Sequence, residues 1–116
     1  MDIRLKTLRK TLLGRDCELC CNMNVLADVQ EYCKGNLIEA LSSPATIKNM
    51  LIFLAAMYND CADSNGWPER VTPKELGRKL PSKEIFLLIN EIPPLIHSAV
   101  QATADGAEPA EDNEKN

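Results

Sequence analysis

Five cysteines and one histidine are the residues in this chain with the richest chemistry. Cys17, Glu18, Leu19 and Cys20 form a CxxC, and Cys21 follows it directly. A zinc site needs about four ligands on a tight turn. There is no second CxxC, and only Cys33, Cys61 and His97 remain to complete a set. If the segment is a strand, Cys17 and Cys20 leave opposite faces, because successive side chains alternate. A redox CxxC normally opens a helix after a strand, which this one does not. The cysteines therefore read as buried structural thiols, and no metal or cofactor is expected.

A nucleophile needs a base beside it. His97 lies beyond Pro93-Pro94 with no evident Asp or Asn partner, so it reads as a surface or interface histidine. Asp60 and Asp63 sit at a helix end, and Glu108 and Glu111 in an acidic tail. Neither place tunes an acid–base pair. GxGxxG, Walker A and HExxH motifs are absent. No catalytic residue is assigned, and an enzyme is not expected.

Two features point instead to binding other proteins. Trp67 is the only tryptophan, in the loop segment Asn65-Gly-Trp-Pro-Glu-Arg70, where it either caps the core from outside or anchors a partner. The segment after Ser82 carries Ile85, Phe86, Leu88, Ile89, Ile92, Leu95, Ile96 and Ala99 at helical spacing. Leu87 and Leu88 widen that face beyond the needs of one core helix, which leaves area for a partner or a second copy. The candidate protein-binding residues are Trp67, Phe86, Leu87, Leu88, Ile92, Leu95 and Ile96.

These residues must be positioned by a small, mainly α domain. From Met50 to Tyr58 every residue is apolar, with no Gly or Pro, so the run reads as a buried helix. Ser43 is placed to cap it and Pro44 to occupy its first position. The helix is expected to end near Asn65-Gly66 and to form the centre of a single-domain helical bundle. Around it, Asn22 caps a helix at about 23–33, with Val25, Leu26, Val29, Tyr32 and Cys33 inward. Cys21 and Leu26 are spaced for a hydrophobic staple. Gly35 is a left-handed stop. Asn36 caps a short helix at 37–42 carrying Leu37, Ile38 and Leu41. Thr72-Pro-Lys-Glu75 is a capping box with Pro at the first position, opening a helix at 73–79 that Leu80-Pro81 ends. Ser82 caps the last helix, and Pro93-Pro94 must kink it or make it stop and restart.

The start is an N-terminal β-hairpin, within about 3–21. Ile3, Leu5 and Thr7 alternate with Arg4 and Lys6, Gly14-Arg15-Asp16 signals a turn, and Cys17, Leu19 and Cys21 alternate with polar or intervening residues. Leu5, Leu8 and Leu12 also fit one helix face, and that alternative stays open.

At 116 residues the chain has room for one core. Its hydrophobic content is ordinary at 45%, but only 4% is aromatic, so the core should be Leu, Ile, Ala and Met. The formal charge of −4 is uneven. The body, 1–103, is balanced, and the acidic excess lies in a tail over 104–116 expected to be disordered. Arg4, Lys6, Arg9, Lys10 and Arg15 make the start basic. That arm has no aromatic residue, so a solvated strand face explains it better than nucleic acid does. A helix-turn-helix DNA-binding regulator at 72–92 is an alternative, but its second helix lacks base-reading residues on its first turns. An oligomerising adaptor is another. No signal peptide is expected, and the central run falls short of the ~20 residues of a membrane span. Reduced thiols in a bacterial or viral-host cytoplasm follow.

The order of these motifs resembles that of phage tail assembly chaperones of Gram-positive phages and prophages. The likeness runs through Gly14 to Leu19, Asn24 to Glu31, Gly35 to Leu41, Ile47 to Tyr58 and Thr72 to Leu76. The chain departs from the pattern in its strand cysteines and in Cys33-Lys34 before the glycine. The resemblance implies a non-catalytic assembly helper that binds the phage tape-measure protein in the host cytoplasm and is left out of the mature virion. The tail-tube protein is a second candidate partner. A groove between the central helix and the last one, around Ile85 to Ile96 with Trp67 at its rim, is the expected docking site.

Overall fold

A computed structural model describes residues 5–107 of the protein. The chain is mainly α-helical with an antiparallel two-stranded hairpin at its start, in the order ββααααα. Ile3, the side chain of Ile85 and the tail beyond Ala107 lie outside the described residues.

Strand β1 spans Thr7–Leu12 and β2 spans Arg15–Cys20, in register from Thr7↔Cys20 to Leu12↔Arg15. This settles residues 7–12 as strand rather than helix. The turn is one residue earlier than Gly14-Arg15-Asp16 suggested. Its central residues are Leu13 and Gly14, both at positive φ (53° and 79°). A two-residue hairpin turn of this kind needs positive φ at both positions because its twist must match that of the strands. Glycine accepts that freely, whereas Leu13 is held there by packing against the core.

Register puts Leu8, Lys10, Leu12, Arg15, Cys17 and Leu19 on one side of the hairpin. Leu12, Cys17 and Leu19 are buried there. The basic strand face is thus not wholly a solvated one: Lys10 and Arg15 share the side that faces the helices. On the outer side Arg9 lies 3.8 Å from Glu18, with both side chains exposed.

Helix α1 spans Met23–Tyr32. The Asn22 side chain caps it by accepting from the Val25 N–H at 2.9 Å, and donates to Asp60 on the long helix at 2.8 Å. Val25 and Val29 are buried, but Tyr32, expected inward, is exposed. It sits on the last turn, beyond the reach of the covering elements. Lys34 and Gly35 at positive φ end the segment. Helix α2 spans Leu37–Ser42 and buries Ala40, while Ile38 is exposed. Asn36 precedes α2 without capping it through its side chain, which instead donates to Glu39.

Helix α3 spans Ile47–Asn65 and is capped by Thr46, not Ser43. Ser43 closes α2, and its carbonyl accepts from the Asn49 side chain at 2.8 Å. Thr46 adopts the extended backbone a cap requires and accepts from Asn49 N–H. Met50 and Ile52 to Tyr58 are buried. The helix touches β2, α1, α4 and α5. It ends at left-handed Gly66, φ 73°.

Helix α4 spans Pro73–Lys79 with the full capping box of Thr72 and Glu75. Helix α5 spans Glu84–Ala107. Ser82 lies in the turn before it, so the helix begins later than a Ser82 cap would place it. It runs through Pro93-Pro94 without stopping, and past the boundary at 103 expected for the folded body. Two prolines remove two helical N–H donors, leaving the carbonyls of Ile89 and Asn90 without them. Both residues are exposed, so water can satisfy those carbonyls.

Candidate protein-binding site

Seven residues carried the binding expectation, and the structure divides them. Leu88, Ile92, Leu95 and Ile96 are buried in the core. With Ala99 they form the stripe by which α5 meets the rest of the fold, so there is no open trough of these residues between α3 and α5. They are core positions of the monomer. The helical period decides this: 88, 92, 95, 96 and 99 follow one face. Phe86 and Leu87 point elsewhere, at 72% and 49% exposed, next to Ile89 at 43%. Phe86 and Ile89 adjoin on the helix surface and Leu87 stands about 100° round from Phe86, so the first turns of α5 carry three large apolar side chains left exposed among the described residues.

Trp67 is partly buried and packed against the core. Its ring centroid is 6.0 Å from that of Tyr58, and the Arg15 guanidinium lies 4.7 Å over the ring. Arg15 also bonds Glu69 at 2.7 Å. Strand β2, the end of α3 and the loop after it are thereby tied together, and Trp67 caps the core.

The start of α5 is fixed by charge. Lys10 reaches Glu84 at 3.2 Å and Glu91 at 3.0 Å from the inner side of β1. Burial alone would pull the Lys10 pKa down. Hydrogen bonds to both carboxylates outweigh it and hold the ammonium above its usual range. Farther along, Ser98 Oγ accepts from the Lys6 N–H at 3.1 Å. The apolar strip is therefore displayed on an anchored helix.

Cys17 and Cys61 meet in the core, and no third metal-ligating side chain is grouped with them among the described residues. Cys17 is buried while Cys20 is only partly so, as alternation along β2 requires. Burial pushes the Cys17 thiol up to about 11, with Cys61 as the next cause. Burial likewise pushes Cys21 up to about 12. Thiols held protonated in this way are poor nucleophiles. Among the described residues, no three His, Cys, Asp or Glu side chains are grouped to hold a metal ion. His97 is exposed.

A broad concavity lies where no motif of the sequence pointed to one. It is a groove of about 1310 Å³ between the end of α1, α2, the first half of α3, and α4. Tyr32, Ile47, Leu51 and Ile52 contribute its apolar lining, and Lys34, Lys48, Lys74 and Arg78 its charge. A smaller hollow of about 380 Å³ continues it, sharing Tyr32, Ile52 and Pro73 and adding Asp28, Glu31 and Asn59. Asn59 fixes the far wall: its side chain donates to the Val71 carbonyl and accepts from the Val71 N–H, both at 2.9 Å. Burial, then Glu31, Asp60 and Asp63, hold the Asp28 carboxyl above the usual range. The available signal was a surplus, with Tyr32 and Ile47 apolar yet unneeded by the core.

Compared with protein-family models, curated proteins and solved structures, the chain matches none of them.

Proposed function

We propose that the protein is a non-catalytic phage tail assembly chaperone. In this reading it is a helical bundle built around α3 that holds amphipathic stretches of the tape-measure protein in soluble form in the host cytoplasm. The observation that carries the reading is the strip Phe86, Leu87 and Ile89. Its three large apolar side chains stand exposed on a helix whose opposite face is already satisfied. Phe86 and Ile89 are neighbours on the helix surface, and exposed apolar side chains of that kind mark protein contacts. The motif order from Gly14 to Leu76 supplies the phage context. Base reading fits less well, because the first turns of α5 offer Glu84, Phe86 and Leu87, an acid and two hydrocarbons.

The test is co-expression with the tape-measure chain of the same genome. The wild-type protein should keep that chain soluble and co-purify with it. The double variant Phe86→Asp/Leu87→Asp should retain its fold by circular dichroism and lose at least about tenfold of the recovered partner, in keeping with the loss of a desolvated apolar anchor. Unchanged recovery by the double variant, or an insoluble tape-measure chain beside the wild-type protein, would overturn the reading.

A further inference from the structure

The groove along α3 is a separate surface from the strip on α5, and its charge is ordered. Its floor is one face of α3, with Lys48, Leu51, Ile52, Ala55, Ala56 and Asn59 at helical spacing. The α1 side and α4 form the walls. From Ile47 to Asn59 the floor is about 18 Å long at 1.5 Å per residue, the span of roughly three helical turns. At the α3 N-terminal end the lining carries Lys34, Lys48, Lys74 and Arg78 against a single acid, Glu39. At the other end it carries Asp28 and Glu31. Among the described residues, none of these four cations and neither of these two acids is in an ion pair.

We infer that this groove binds an amphipathic helix of about three turns whose charges are segregated, acidic side chains over the Lys48–Arg78 end and basic side chains over the Asp28–Glu31 end. The apolar floor calls for a hydrophobic stripe on the ligand, as in other helix-in-groove contacts. A polyanion such as nucleic acid would meet the lysines but run onto the two acids, and it would leave the floor unfilled. Gly77 narrows the choice further. It lines the groove on α4 and keeps that wall low. A Cβ there would sit 3.4 Å from Leu51 Cδ1, an ordinary contact, so packing beneath α4 leaves room for a side chain. The proposal requires no phage component and stands or falls apart from the tape-measure reading.

The probe is a pair of synthetic helical peptides about fourteen residues long with the same leucine stripe. One carries Glu in one half and Lys in the other, and the second carries Lys throughout. Binding to the full chain is read by anisotropy of the labelled peptides and by amide shifts of the protein. The segregated peptide should bind at least about tenfold more tightly at low salt and should move the Leu51, Lys74 and Gly77 amides. Its advantage should shrink as salt is raised. The Lys48→Glu/Lys74→Glu variant should lose that preference with its fold intact. Gly77→Leu should weaken both peptides by filling the wall. Equal binding of the two peptides would overturn the proposal. So would shifts confined to Phe86 and Leu87, or a preference unchanged in the double variant. Groove shifts that follow protein concentration without peptide would assign the surface to a second copy and overturn it as well.

Discussion

Helices α3 and α5 are both rich in large apolar residues, and each contains one of the two phenylalanines of the chain. Phe53 in α3 is fully buried, while Phe86 in α5 is 72% exposed. The difference lies in coverage, not composition. Helix α3 is touched by β2, α1, α4 and α5, which bury Ile52 to Tyr58 and leave only the groove-lining face open. Helix α5 has α3 and β1 as its main neighbours, and a helix covered on one side buries only one stripe. An apolar helix that is enclosed is scaffold. One that is covered on one side has a face left over, and that face is where binding is proposed.

The comparison breaks most sharply at the phenylalanines. Phe53→Ala should destabilise the protein by about 3–5 kcal/mol, the cost of a large buried cavity. Phe86→Ala should change stability by no more than about 0.5 kcal/mol, as surface substitutions do. Chemical denaturation of the two variants measures both. Similar losses would show that Phe86 is as much a part of the core as Phe53.

A smaller effect is expected where α3 holds its cover in place. Asn59→Ala leaves the N–H and the carbonyl of buried Val71 without partners and should cost about 2 kcal/mol. The same denaturation experiment measures it. Exchange of the Val71 amide should quicken in the variant, and an unchanged rate would mean that α4 is held against α3 by packing alone.

A further expectation concerns pH. Cys17 and Cys21 titrate near 11 and 12 in the folded protein, above the ordinary thiol value of 9.0. A raised pKa gives stability that is fully present below the unfolded value and is lost as pH rises through the folded one. Stability should therefore fall between about pH 9 and 12, with reductant present, by melting temperature. Cys17→Ala/Cys21→Ala should flatten that fall. An equal decline in the variant would trace it to other groups, such as the Lys10 ammonium paired with Glu84 and Glu91.

Much of the fold was legible because caps and turns are local. Thr72 with Glu75, Asn22 with Val25, and left-handed Gly35 and Gly66 all act within a few residues. The misplaced start of α3 has a local cause as well. Ser43-Pro44 and Thr46 are both good start signals, and the first was taken up by the end of α2. The site was less legible. The spacing of Leu88, Ile92, Leu95 and Ile96 marks a stripe but does not say whether core or partner will cover it. Lys10 looked like solvent-facing charge until strand register turned it toward Glu84 and Glu91, far away in sequence.

By itself, the sequence determined the kind and order of the elements after the first strand, since backbone hydrogen bonding, propensity and capping are settled among near neighbours, whereas residues 7–12 needed their pairing with β2 to be strand rather than helix. It also determined how much apolar surface each helix would carry. Tertiary structure alone decided which of that surface was spent inside. Burial depends on which distant segments arrive, and these left Phe86, Leu87 and the charged groove along α3 uncovered.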